Sequence, residues 1–245
     1  MIEIEGLTKL YGSLAAVQDL SFAVAPGEIL GLVGPNGAGK TTTLRAIAGI
    51  IPPTRGTIRV AGHDLASDPL EAKAALAFVP DEPQLFDYLT VAEHLQFVAR
   101  LYRKPDAVHR IDPILMELEL SEKRGALASE LSRGMKQKLA IACGLIHDPR
   151  ALLLDEPLTG LDPVGIRRMK RTIAARAQAG AAVLLSSHLL QLVEEICTRI
   201  LIIQNGRRVA LGSMREIAAE RPDLSGRGLE DIFLSLTGHG EDQPA

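Results

Sequence analysis

The sequence contains no tryptophan, and aromatic residues make up only 3% of its 245 residues. Hydrophobic residues nevertheless account for 47% of the chain, so we expect a substantial core built from Leu, Ile, Val and Ala. Cysteine is also scarce. Cys143 and Cys197 lie in stretches that we predict to be helical, and they form neither a metal-ligand spacing nor a disulfide framework. These features favour a reducing compartment.

Neither positive nor negative charge is in large excess. The 27 Lys and Arg residues nearly balance the 30 Asp and Glu residues, which leaves a net charge of −3. A general nucleic-acid binder needs a basic surface, so we expect no nucleic-acid partner. We interpret the basic cluster between Arg167 and Arg171 as a solvated helix face rather than a binding patch.

Long hydrophobic runs are absent as well. The first twelve residues, MIEIEGLTKLYG, have neither the basic start nor the apolar run of a signal peptide. The longest uncharged stretch, 177–193, contains several polar residues and combines a strand-like segment with a helix start, so it is not a membrane span. We therefore expect a chain that is soluble by itself and reaches a membrane only through a partner.

The periodicity of the apolar residues changes along the chain. Strand patterns fill the first sixty residues, helical spacing dominates 90–147, and strands alternate with helices from 151 onward, which predicts a mainly parallel sheet. Asp162 before Pro163 predicts a helix N-cap, and Asn205-Gly206 predicts a hairpin turn. The predicted strands are 2–4, 20–24, 28–33, 57–60, 151–154, 182–185, 201–203 and 208–211, and a last amphipathic helix is predicted over 229–236.

A glycine-rich segment follows the apolar run 28–33. Residues 34–42 read GPNGAGKTT and fit the G-x-x-x-x-G-K-[ST] pattern between a predicted strand and a predicted helix, 42–50. Glycines let backbone N–H groups converge on phosphate oxygens, and the helix N-terminus adds unpaired donors. The residues predicted to bind a nucleotide here are Gly34, Asn36, Gly37, Ala38, Gly39, Lys40, Thr41 and Thr42.

Two side chains of this loop have distinct expected roles. Lys40 places a positive charge on the β- and γ-phosphates, and the Thr41 hydroxyl ligates Mg²⁺. Kinases, GTPases and transport ATPases all carry such a loop, so the loop alone identifies neither the nucleotide nor the reaction.

Two acids end the apolar run 151–154. A buried strand delivers Asp155 to its carboxyl end, where ligands sit in parallel sheets, so Asp155 is suited to hold the Mg²⁺ shell. Glu156 points elsewhere and is suited to polarise an attacking water. For this acid pair taken by itself, a helix cap remains an alternative.

Further motifs, in order along the chain, resemble those of ATP-binding cassette (ABC) ATPases. The segment 131–137, LSRGMKQ, resembles their signature loop, and 157–162, PLTGLD, resembles the loop after their catalytic acid. His188 matches their switch histidine, and Tyr11 matches the aromatic residue that stacks on adenine. The order and spacing agree from residue 2 to about 212.

The resemblance implies an α/β fold: a P-loop NTPase (RecA-like) core with an N-terminal antiparallel β subdomain and an inserted α-helical subdomain. It implies a single ABC ATPase domain over 1–237. Within that domain, the core and β subdomain would occupy about 1–80 and 148–212, the helical subdomain 83–147, and the C-terminal helices 213–237. We expect 238–245 to be a disordered tail.

The resemblance also implies a head-to-tail dimer that binds ATP and Mg²⁺. ATP held by the phosphate loop of one copy is covered by Ser132 and Gly134 of the other. Ser132 begins a predicted helix. The unpaired N–H groups and the positive dipole end of that helix would therefore bind the phosphates of ATP from the side opposite the phosphate loop.

Hydrolysis is expected to depend on a few side chains. Glu156 would act as general base on water, while His188 and Lys40 hold the γ-phosphate. Asp162 would help the two copies communicate, and closure on ATP followed by opening after hydrolysis would drive a partner.

The chain departs from the family pattern at two places. Asp81 stands where the family usually has Gln, so a third carboxylate would approach Mg²⁺ or water. Arg133 and Met135 replace the common Gly and Gln of the signature, and we expect Arg133 to face solvent.

The segment 229–238 resembles the tail of cassettes that serve export permeases. We therefore expect a motor subunit at the cytoplasmic face of the cell membrane, bound to a separate transmembrane permease near 81–105. The alternatives are a soluble ATP-dependent regulator of a non-membrane complex and a phosphotransferase. The phosphotransferase is disfavoured because 131–137 would then have no role.

Overall fold

Two β-sheets form the framework of the computed structural model, which describes residues 1–220 and 226–238. The strands are β1 (Ile2–Tyr11), β2 (Leu14–Val24), β3 (Ile29–Val33), β4 (Arg55–Val60), β5 (His63–Asp64), β6 (Leu76–Val79), β7 (Ala151–Asp155), β8 (Ala182–Ser186), β9 (Arg199–Gln204) and β10 (Arg207–Gly212). A four-stranded sheet has the order β2-β1-β4-β5, and a six-stranded sheet has the order β10-β9-β3-β8-β7-β6.

The six-stranded sheet is parallel except at one edge. Strands β9, β3, β8, β7 and β6 pair in parallel, and β10 returns antiparallel to β9. The predicted parallel sheet is thus confirmed, as is the hairpin: Asn205 and Gly206 both have positive φ, 50° and 76°, which a type I′ turn requires. Strands β3, β7 and β8 are buried along their whole length, so they read as continuous apolar runs.

Nine α-helices occur in the described part of the chain. They are α1 (Lys40–Ile47), α2 (Pro69–Ala74), α3 (Val91–Leu101), α4 (Ile111–Glu117), α5 (Arg133–Leu145), α6 (Pro163–Gln178), α7 (Leu190–Ile196), α8 (Met214–Glu220) and α9 (Leu229–Thr237). Short 3₁₀ turns at Pro105–Arg110, Ser121–Lys123 and Ala128–Glu130 separate the middle helices. Within the described residues, no helix is both long and apolar enough to cross a bilayer.

Aliphatic side chains fill the core, as the composition predicts. Among the described residues, Phe22 is the one aromatic side chain of the buried core. One cluster of buried side chains packs the helices between β6 and β7 against one face of the parallel sheet. A second cluster fills the space between the other face of that sheet, α1 and the four-stranded sheet. Helices α7, α8 and α9 cover β9 in a third, smaller cluster.

Several element boundaries differ from the predicted ones. Strands β1 and β2 extend well beyond 2–4 and 20–24, since β1 pairs with both β2 and β4 through irregular registers. Such pairing stabilises segments without a regular apolar alternation. Helix α1 begins at Lys40 rather than residue 42, because Gly39 in the left-handed region is its N-cap. The predicted last helix is confirmed as α9, and Gly238 is its C-cap; residues 239–245 of the predicted tail lie outside the described residues.

Candidate functional site

A cleft of about 390 Å³ opens at the carboxyl ends of the parallel strands. The turn after β3 supplies the glycine-rich loop, and the ends of β6, β7 and β8 lead to Asp81, Glu156 and His188. Ligands bind at this edge in sheets of this kind. The lining residues are Ala16, Asn36, Gly37, Ala38, Gly39, Lys40, Thr41, Thr42, Asp81, Asp155, Glu156, Thr159 and His188.

Two positions of the loop require glycine because the backbone of a neighbouring strand approaches them closely. Gly39 has φ 102°, and a Cβ there would lie 2.4 Å from the carbonyl oxygen of Ala16. A Cβ on Gly34 would lie 2.4 Å from the carbonyl oxygen of Ile203. The loop is therefore packed directly against the backbones of β2 and β9, which only glycine permits at these two positions.

We expect Gly39→Ala to destabilise the protein by about 3 kcal/mol, because left-handed strain and a backbone clash add together. Gly180→Ala is the matched control: Gly180 has φ 100°, but nothing lies within 4 Å of its hypothetical Cβ. That control should cost only about 1 kcal/mol. Urea unfolding of both variants checks this, and equal losses would contradict the close packing of the loop.

Lys40 folds back over the loop. Its Nζ donates to the carbonyl oxygens of Gly34 at 2.7 Å and Pro35 at 3.2 Å. Burial lowers the pKa of Lys40, while the charges of Glu156 and Asp155 raise it. The ammonium group thus lies in a partly desolvated place where it faces two acids, which suits it to bind phosphate oxygens.

The backbone changes direction between the two adjacent acids, Asp155 and Glu156. Asp155 ends β7, is buried, and accepts a hydrogen bond from Ser186 Oγ. Glu156 has φ 48°, which is rare outside glycine and is found where a site fixes a side-chain direction. Its backbone N–H donates to the carbonyl oxygen of Ser186 at 3.1 Å. The helices that follow have Asp162 and Leu189 as their N-caps, so Glu156 is not a helix cap, and it lines the cleft.

Glu156 and His188 are in direct contact. Glu156 Oε2 lies 2.8 Å from His188 Nδ1 and also accepts from the His188 backbone N–H at 3.3 Å. Burial raises the pKa of Glu156, whereas His188 and Lys40 lower it. A carboxylate with a raised pKa in a cleft has the chemistry of a general base.

Asp81 brings a third carboxylate to the cleft. Its Oδ1 is buried and has no hydrogen-bond partner among the described residues, which is costly unless a ligand or a metal satisfies it. The described residues contain no group of three or more His, Cys, Asp or Glu side chains placed to hold a metal by themselves. A cation here would need the Thr41 hydroxyl, water or phosphate oxygens as further ligands, which is the environment Mg²⁺ prefers.

Four predicted site residues do not line this cleft: Gly34, which packs against Ile203 as described above, and the three that follow. Tyr11 is half exposed at the end of β1, with Lys9 Nζ 5.1 Å from its ring centroid. Ser132 is the N-cap of α5, and its side chain accepts from the Met135 N–H at 3.3 Å. Gly134 lies in the first turn of α5, where a Cβ would be 2.6 Å from the carbonyl oxygen of Gly160.

The sequence interpretation missed three contributors to the site. Ala16 and Thr159 line the cleft, and Ser186 Oγ links Asp155 to the backbone N–H of Glu156. Thr159 lies in the segment 157–162 and Ser186 lies two residues before His188, so both belong to motifs from which they could have been predicted. Ala16 carries no such signal. Arg133 is exposed, in agreement with the prediction that it faces solvent.

The fold and the site define a P-loop nucleotide hydrolase. Residues 17–159 match the family model described as ABC transporter. The chain is 34% identical to the ABC-type transporter ATP-binding protein EcsA of Bacillus subtilis over 97% of this chain and 96% of that protein. It is 40% identical to Nod factor export ATP-binding protein I of Paraburkholderia xenovorans, over 89% of this chain and 72% of that protein.

A solved structure, described as an ATP binding subunit of an ABC transporter, is also similar. It has a TM-score of 0.91 at 34% identity and covers 96% of this chain and 99% of that one. The chain therefore belongs to the ABC transporter family. It binds ATP and is an ATPase whose hydrolysis powers transport. This confirms the fold class and the ATPase activity predicted from the sequence.

Proposed function

We propose that this chain powers export through a separate membrane permease and works as a head-to-tail pair with a second ATPase subunit. The observation that carries this proposal is the similarity to transporter ATP-binding subunits, which covers 97% of this chain for EcsA and 89% for a protein named for Nod factor export. The permease would hold the chain at the cytoplasmic face of the membrane.

Within the cleft, Lys40 and the backbone of the phosphate loop bind the β- and γ-phosphates. Glu156 takes a proton from the attacking water, because it is an acid of raised pKa beside His188. His188 fixes the Glu156 carboxylate and contacts the γ-phosphate. Tyr11, half exposed at the end of β1, would supply a face for the adenine ring.

Mg²⁺ would be held by Thr41, Asp155 and Asp81. Two observations on the described residues support this: Asp81 Oδ1 is buried without a partner, and the Ser186 hydroxyl donates to Asp155. When bound, the cation neutralises phosphate charge. Asp81 in place of glutamine adds a negative charge that strengthens attraction for a divalent cation.

The second copy would use the N-terminus of α5. This helix has 13 residues, and its exposed N-cap Ser132 lies away from the chain's own cleft. Its first-turn N–H groups have few partners within the helix, so with Gly134 they provide an anion-binding surface for the γ-phosphate held by a partner copy.

An exposed apolar patch on the helical insert, in which three of the four residues are aromatic, is suited to bind the permease. We define it by Phe86, Tyr88, Phe97 and Leu101, which are 56%, 91%, 44% and 65% exposed. Phe86 and Phe97 meet edge to face with centroids 5.4 Å apart. Exposed aromatic residues are enriched at protein interfaces, and this chain has few of them, so their grouping within the predicted docking segment 81–105 supports contact there.

Tagged protein purified from membranes tests the proposal. We expect the wild-type chain to retain a membrane protein and Tyr88→Glu to retain about tenfold less, because a buried interface aromatic typically carries much of the binding energy. Leu70→Glu, at an exposed apolar residue on α2 outside the patch, is the control and should retain it. Recovery of soluble partners without any membrane protein would instead identify a regulator of a non-membrane complex.

A further inference from the structure

A second cavity, of about 380 Å³, lies at the opposite end of the parallel sheet from the nucleotide cleft. It adjoins the amino ends of β7 and β8, whereas the cleft adjoins their carboxyl ends. A strand of five residues separates the two by roughly 16 Å. The lining residues are Met1, Pro26, Ala61, Leu145, Asp148, Pro149, Arg150, Leu152, Arg176, Ala179, Gly180 and Ala181.

Most of this wall is apolar, but its charged groups are not balanced. Asp148 is engaged by Arg110 Nη2, 3.2 Å from its Oδ1. Arg150 is exposed and takes part in none of the ion pairs found in the described part of the chain. Met1, whose N-terminal ammonium group interacts with the charges of Glu3 and Arg150, also lines the cavity. The lining residues therefore carry an excess of positive charge and disfavour a cation.

Arg176 provides an unused donor in the same wall. Its Nη2 forms an ion pair with Glu117 of α4, which fixes the guanidinium in place. Its Nε is buried and has no hydrogen-bond partner among the described residues. A buried N–H without a partner is uncommon in folded proteins, and the Arg176 guanidinium keeps further donors beyond the Nη2 that Glu117 engages.

We propose that this cavity binds a small amphipathic carboxylate, with its apolar body among Pro26, Leu145 and Leu152 and its carboxylate between Arg150 and Arg176. Guanidinium groups recognise carboxylates through paired N–H donors. The apolar wall favours such a molecule over an inorganic anion, since inorganic anions gain nothing from apolar contact. None of its lining residues lines the nucleotide cleft.

The site touches the connection between two functional elements. The residues around Asp148 and Pro149 join α5, which begins beside Ser132, to β7, which ends at Asp155. A ligand would bridge this connection to the last turn of α6 and would stabilise the folded state in proportion to its occupancy.

Hexanoate and hexanol form a matched probe pair, since they differ mainly in the charged head group. NMR titration of the purified full chain without nucleotide should show hexanoate binding with a Kd on the order of 1 mM, and hexanol binding at least about tenfold more weakly. Inorganic phosphate should bind no better than hexanol.

Two variants test the arginines separately. Arg150→Ala should weaken hexanoate binding about tenfold, and Arg176→Lys should do the same while keeping a charge beside Glu117. Arg171→Ala, which removes an exposed arginine on α6 outside the cavity, should leave hexanoate binding unchanged, and all three variants should bind ATP normally. Equal binding of hexanoate and hexanol, no hexanoate binding, or unchanged binding in both Arg150→Ala and Arg176→Lys would overturn the proposal.

Discussion

Glu156→Gln should lower ATP turnover by about 10²-fold or more while ATP binding persists. Glutamine preserves the size of the side chain and can still accept the hydrogen bond from the His188 backbone N–H, but it cannot take a proton from water. Because bound ATP is then hydrolysed slowly, and one negative charge near it is gone, the proposed ATP-bound dimer should accumulate. Steady-state phosphate release and gel filtration with ATP measure the two effects.

Glu71→Gln, at an exposed acid on α2, is the control and should hydrolyse ATP at the wild-type rate. A Glu156→Gln protein with near-normal turnover would remove Glu156 from the role of general base. Slow turnover accompanied by lost ATP binding would point to damage of the cleft rather than to a missing base.

Lys40→Ala should weaken Mg·ATP binding by roughly 10- to 100-fold, since a hydrogen bond to a charged group contributes about 1.5–3 kcal/mol. The side chain joins the Gly34 and Pro35 carbonyls to the cleft, so its loss removes both the charge and a brace of the loop. Equilibrium binding of a fluorescent ATP analogue measures the change.

Lys73→Ala, at an exposed lysine on α2, is the matched control and should bind ATP normally. Thermal unfolding without nucleotide distinguishes the lost charge from the lost hydrogen bonds to the loop. A lower melting temperature would show that these hydrogen bonds stabilise the folded loop. Unaltered affinity in Lys40→Ala would contradict the phosphate-binding role of the loop.

The parts of the fold that the sequence predicts well are those fixed by local chemistry. The loop 34–42 combines a buried strand, glycines and a helix start, and these requirements act within about a dozen residues. Asp162 is predicted as an N-cap and accepts from the Gly165 N–H at 2.8 Å. Asn205-Gly206 is predicted as a turn because few other residue pairs tolerate two positive φ angles.

The parts that escape prediction depend on contacts between distant segments. The contact of Glu156 with His188 joins residues 32 positions apart, and nothing in either local sequence encodes it. The ends of β1 and β2 are set by pairing with each other and with β4. The unpartnered Nε of Arg176 is visible only once α6 lies against Glu117.

The hairpin turn at Gly206 has a consequence for how nucleotide binding could be observed. Its N–H donates to the carbonyl oxygen of Ala38 in the phosphate loop at 3.0 Å, and its carbonyl oxygen accepts from the Gln18 N–H at 2.8 Å. Gly206 thus ties the loop to the hairpin of the six-stranded sheet and, through Gln18, to β2 of the four-stranded sheet. Any shift of the loop must lengthen or shorten these bonds, so the amide proton of Gly206 is a natural reporter whose exchange with solvent would track occupancy from a position that touches no ligand.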